Sequence, residues 1–142
     1  MKVYIAGPFF TEQERDALRH MICLYREANP EDELFIPMEH SIANGENMSN
    51  EVWAKKVFDM DVQAIRDCDI VLVMYTGHYS DTGTAWELGF AHGLRIPIIG
   101  YIPPWAETKD MSLMVLNCFD GYLGCNGEIV VLSSIITNYN QK

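Results

Sequence analysis

The chain has 142 residues, 49% of them hydrophobic, enough to bury one core. A formal net charge of -10 opposes binding to a nucleic acid polymer, which needs clustered Lys and Arg, and no apolar run approaches the length needed to span a bilayer. Cys23, Cys68, Cys118 and Cys125 lack CxxC spacing and a nearby His pattern, so they read as reduced thiols and not as a metal centre.

Residues 2–7 read as a first strand stopped by Gly7-Pro8. The chain opens on a strand with no signal-peptide pattern, so a cytoplasmic location is expected. Thr11 and Glu14 have the capping-box spacing and open a helix to about Ala28, with Leu18, Met21, Ile22 and Tyr25 on its inner face. Residues 34–37 read as a second strand ended by proline, and 39–49 as a polar loop. A second helix runs from about Asn50 to Arg66, with Trp53, Val57 and Ile65 facing inward.

Residues 70–75 form the third expected strand, followed by a helix from Thr84 to about Leu94. The fourth strand covers 96–101, with Pro97 near its start, where a missing N–H is tolerated. A short helix is expected around Met111 to Phe119, and 121–124 is a candidate fifth strand. The segment from Glu128 to Tyr139, rich in Val, Ile and Thr, fits strand or helix; alternation in the preceding chain favours helix. No repeat or linker interrupts the sequence. Residues 1–142 therefore read as a single doubly wound, flavodoxin-like α/β domain, with a roughly five-stranded parallel sheet flanked by helices.

In such a sheet, ligands bind in the crevice outside the carboxyl ends of the strands. The segment Asp81-Thr82-Gly83-Thr84-Ala85-Trp86-Glu87-Leu88-Gly89 lies there, after the third strand. It places Glu87 in the first turns of a helix, with Asp81 six residues upstream and an indole beside it. Acidic residues at a helix start also have a purely structural role through the macrodipole. Phe9 and Phe10, after the first strand, either stack on a flat ligand or staple the next helix to the core. Asp61 shares a helix face with Val57 and Ile65, where a carboxylate costs desolvation unless it is paired or used, while Asp59 points elsewhere. There is no GxGxxG and no GxxxxGK[ST], which argues against a dehydrogenase or a nucleoside triphosphatase.

Three blocks, Val3 to Phe10, Phe58 to Ile65 and Asp81 to Gly89, together and in this order resemble the nucleoside 2-deoxyribosyltransferase family. A fourth, Met111-Ser112-Leu113-Met114, lies where that family has its sugar-binding segment. The resemblance extends from Val3 through about Tyr122. It implies a cofactor-free, metal-free enzyme acting on a 2′-deoxynucleoside and a free nucleobase, purine and pyrimidine being left open. Glu87 matches a nucleophile that attacks C1′ and forms a covalent 2-deoxyribosyl ester, with net retention after two inversions. Tyr4 matches a tyrosine that holds the nucleophile. Asp61 and Asp81 match aspartates that contact substrate and move a proton, with the division between them left open. Phe9, Phe10 and Trp86 are the implied base walls, and Gly83, Ser112 and Met114 fall at substrate-binding positions. The resemblance also implies a homo-oligomer, hexamer or dimer, with sites completed by a neighbouring subunit; a role there for the C-terminal Lys142 is left open.

One departure matters. Ser112 stands where the transferases commonly carry Asn, and so resembles related 2′-deoxynucleoside 5′-monophosphate N-glycosidases. Those hydrolases usually carry an Arg-containing loop after the first strand and a serine in place of Asp81, and this chain has neither. A free nucleoside is therefore the expected substrate. A nucleotide hydrolase is the alternative, and a non-catalytic nucleoside sensor a further one.

Overall fold

The computed structural model describes residues 1–78 and 81–131. Strands β1 (Lys2–Ala6), β2 (Glu33–Phe35), β3 (Ile70–Met74), β4 (Ile98–Tyr101), β5 (Gly121–Leu123) and β6 (Ile129–Val131) form one sheet in the order β2-β1-β3-β4-β5-β6. The first five are mutually parallel, in flavodoxin-like order, and β6 pairs antiparallel with β5.

Strand alternation divides the core between the two faces of the sheet. Val3, Ile5, Leu72 and Met74 pack against helix α1 (Glu12–Ala28) through its expected stripe of Leu18, Met21, Ile22 and Tyr25. Tyr4, Ala6, Val71 and Val73 face the other way, toward α2 (Asn50–Asp67), α3 (Thr82–Gly93) and α4 (Leu113–Leu116). The capping box at Thr11 and Glu14 is formed, and Ser49 caps α2 by accepting from the Val52 amide.

Two expectations change. Trp53 and Val57 share the stripe of Ile65, yet only Ile65 is buried, while Trp53 is 47% exposed. The C-terminal half of α2 packs on the sheet, whereas its N-terminal half overhangs a cleft that Trp53 and Val57 line. The segment expected to be helical from Glu128 instead begins with strand β6. Its cause is a tight reversal: Gly127 adopts φ 78°, its amide donates to the Gly124 carbonyl (3.0 Å), and the Gly124 amide donates to the Glu128 carbonyl (2.8 Å). The remainder of that expected helix, from residue 132, lies outside the described residues.

Candidate active site

The chain leaves β1 toward β2 on one side of the sheet and later enters β3 on the other, so the switch point lies between β1 and β3. At the carboxyl end of β1, Gly7 takes φ 148°, and a Cβ there would stand 2.9 Å from the Met74 carbonyl oxygen of β3. Only glycine allows this approach. The turn sends Phe9 and Phe10 along one wall of an open cleft of about 780 Å³. Trp53, Val57 and Met60 of α2 border it, as do Ile36, Met38 and His40 from the segment after β2. A smaller cavity of about 340 Å³, bordered by Lys2, Glu33, Asp67 and Cys68, lies at the opposite strand ends and contains none of the carboxylates described next.

Glu87 projects from α3 into the cleft, where its Oε1 accepts a hydrogen bond from the Tyr4 hydroxyl at 2.8 Å. Tyr4 is fully buried in β1, and its ring stacks on Phe35, centroids 5.6 Å apart. Burial pushes the Glu87 carboxyl up to about 7; the Tyr4 hydrogen bond opposes the shift and the charge of Asp61 adds to it. Burial, followed by Glu87 and Asp61, keeps the Tyr4 phenol protonated.

Asp61 reaches the same cleft from α2. Its Oδ1 is sealed from solvent and accepts no hydrogen bond from the protein. Burial raises its carboxyl above the ordinary range, with His40 opposing. An unpaired buried carboxyl oxygen beside a second carboxylate is expensive unless a ligand or a proton satisfies it.

Asp81 has different surroundings. It is 2% exposed and does not line the cleft; its Oδ2 accepts from the Thr76 amide (2.9 Å) and the Thr76 hydroxyl (2.7 Å). Although it stands at the N-cap of α3, its side chain turns back to bind the end of β3 and caps nothing. Burial raises its carboxyl, the Thr76 and Gly77 bonds oppose this, and the charge of Glu14 adds to it.

The structure thus brings Glu87, Tyr4, Asp61, Phe9, Phe10 and Gly83 to one place, with Tyr4 beneath Glu87 and the others on the cleft surface. A Cβ on Gly83 would meet nothing within 4 Å. Trp86 is not among them: it is half exposed, stacked on Phe90 and tilted against Phe58. Ser112 and Met114 also stand apart, exposed around the start of α4. Sequence reasoning missed Glu14, His40 and His78 as cleft residues. Only Glu14 carried a signal, its capping-box spacing. The described lining holds three carboxylates, Glu14, Asp61 and Glu87, and two histidines, but no lysine or arginine. No group of metal-ligating residues occurs among the described residues, and no described helix is long and apolar enough to cross a membrane.

In a doubly wound α/β fold, ligands bind at the switch point beyond the carboxyl ends of the strands, and the tyrosine-held glutamate stands there. The chain belongs to the nucleoside 2-deoxyribosyltransferase family, a family of pentosyltransferases, whose sequence model matches residues 3–129. It is 25% identical over 130 residues to the nucleoside deoxyribosyltransferase of Lactobacillus leichmannii, covering 85% of this chain and 82% of that protein. Its structure resembles that of a 2-deoxyribosyltransferase from Bacillus psychrosaccharolyticus, with TM-score 0.75 and 30% identity, covering 87% of this chain and 86% of the other. A 2-desoxiribosyltransferase from Leishmania mexicana shares the fold, with TM-score 0.55 and 17% identity over 99% of this chain and 97% of the other.

Proposed function

We propose that the protein exchanges the base of a 2′-deoxynucleoside for another free purine or pyrimidine base, through a 2-deoxyribosyl ester on Glu87. The observation that carries this reading is the Tyr4–Glu87 hydrogen bond at the floor of a cleft shared with Asp61. The Glu87 carboxylate forms a bond to C1′ as the N-glycosidic bond breaks, and the bonding pair leaves with the base. Asp61 gives that base a proton. An incoming base then attacks C1′ from the vacated face, the ester bond breaks, and the incoming base's proton passes to Asp61. Two inversions give net retention. The adjacent anion stabilises the oxocarbenium-like transition state, which forms more easily without a 2′-hydroxyl.

The two carboxyls share the required proton. The charge of Asp61 raises the cost of ionising Glu87, and burial raises the carboxyls of both, so the singly protonated pair is the working form; the reaction runs from the arrangement with Glu87 ionised and the proton on Asp61. Each aspartate has one buried oxygen without a hydrogen-bond partner, but Asp61 is favoured as proton carrier because it lines the cleft, whereas Asp81 lies outside it with its other oxygen bonded to Thr76.

A free nucleoside is favoured over a 5′-monophosphate because the described lining offers carboxylates and no Lys or Arg to a phosphate. Arg15 is held on the carbonyls of Phe9 and Phe10. The hydrolase alternative rests on Ser112, which stands outside this cleft; in the reading favoured here, the exposed segment of Ser112 and Met114 completes the site of a neighbouring copy. One chromatographic assay tests the assignment. Deoxyinosine plus adenine should yield deoxyadenosine plus hypoxanthine without cofactor. Release of deoxyribose 5-phosphate from deoxyinosine monophosphate, indifferent to adenine, would establish the hydrolase, and binding without base release a sensor.

A further inference from the structure

The aromatic wall beside β1 is gripped from both sides by two consecutive residues of α1. Glu14 Oε2 accepts from the amides of Phe10 (2.9 Å) and Thr11 (3.0 Å). Arg15 Nη1 donates to the carbonyls of Phe9 (3.1 Å) and Phe10 (3.0 Å). Of these four bonds, the capping box accounts only for the one from the Thr11 amide to the Glu14 carboxylate. The other three bonds are additional, and all reach the dipeptide that walls the cleft. Glu14 is 4% exposed, and charge-assisted bonds in such a setting are strong and directional.

The rings of Phe9 and Phe10 stack with centroids 5.4 Å apart and planes at 19°, so fixing the backbone positions both. Phe10 is 69% exposed and gains little from core packing. Its position therefore depends on the backbone bonds made by Glu14 and Arg15.

The geometry points to Glu14 and Arg15 as positioning residues that hold Phe9 and Phe10 as a rigid wall and thereby set the size of base the cleft accepts. This rests on the nucleoside reading above. A prefixed wall selects by shape. A loosened wall admits larger bases but must be ordered each time one binds, which weakens binding and leaves the bond-breaking step alone. Arg15 does not line the cleft, so its effect on substrate passes through the Phe9 and Phe10 backbone.

Arg15→Ala and Arg15→Lys test the clamp in two ways. The first is transfer kinetics from deoxyinosine to adenine and to the bulkier N6-benzyladenine. Arg15→Ala should raise KM about tenfold, leave kcat within about twofold, and reduce the preference for adenine. The second is amide hydrogen exchange in the ligand-free protein, where exchange at Phe10 and Thr11 should quicken about tenfold. Arg15→Lys, which keeps the charge but not the planar fork, should lie between Arg15→Ala and wild type. Wild-type KM, base preference and amide exchange in folded Arg15→Ala would overturn the clamp. Failure of the nucleoside reading looks different: the wild type itself would exchange no base, whatever the amide rates.

Discussion

The Tyr4 hydroxyl donates to Glu87 Oε1 at 2.8 Å, joining a fully buried strand residue to a helix residue 83 positions later. This bond stabilises the ionised form of a carboxyl that burial otherwise pushes up to about 7. Tyr4→Phe should therefore move the pH dependence attributed to Glu87 to higher pH. It should also lower kcat at neutral pH by about 10- to 100-fold, since an orienting hydrogen bond to the nucleophile is lost. Steady-state rates across pH check both effects.

The shared proton implies a bell-shaped pH profile for the wild type, with its alkaline limb near 7 as the pair loses its last proton. Asp61→Asn removes both the proton carrier and the charge that raises Glu87. The variant should lose about 100-fold or more in exchange rate. Its remaining activity should only rise with pH, through a value below that of the wild-type alkaline limb. A bell unchanged in shape would show that Asp61 takes no part in the titration.

Glu87 should also make stability depend on pH. Its folded value of about 7 lies above the ordinary glutamate value of 4.5, so ionising it costs more in the folded than in the unfolded chain. The stability contributed by its protonated form is complete below 4.5 and is lost as pH rises to about 7. Glu87→Gln should match wild type near pH 4 and exceed it at pH 8 by about 2 kcal/mol, allowing for partial solvation. Urea denaturation at the two pH values measures the difference.

Asp81 should behave as a structural residue. Asp81→Ala removes the acceptor for two bonds from buried Thr76 and should cost about 1–3 kcal/mol, lowering activity by shifting the start of α3. Asp81→Asn retains an acceptor and should recover most of both. If Asp81→Asn were stable but inactive, the proton would belong to Asp81 and not to Asp61.

The parts of this molecule legible in the sequence are those decided locally. The stripe on α1 and the apolar run of β3 depend on periodicity over a few residues, and both elements form where expected. Trp53 and Val57 mark the limit: their spacing puts them with Ile65, but burial depends on what lies opposite, and there the cleft replaces the sheet. Trp86 adjoins Glu87 in sequence, yet a helix turns about 100° per residue, and the indole faces Phe58 and Phe90. The β6 reversal is marked in the sequence by Asn126-Gly127, a hairpin signal that a helix expectation built on alternation alone leaves unused. His40 ends a single 3-10 turn that begins at Pro37, and no local pattern places it near Asp61.

The proposed role of Glu87 is tested most directly by mass spectrometry of protein quenched in acid after incubation with deoxyinosine. The expected result is one 2-deoxyribosyl group on the peptide containing Glu87, discharged as deoxyadenosine when adenine is added before the quench. Base exchange that continues in Glu87→Ala, or an adduct carried on another residue, would contradict it.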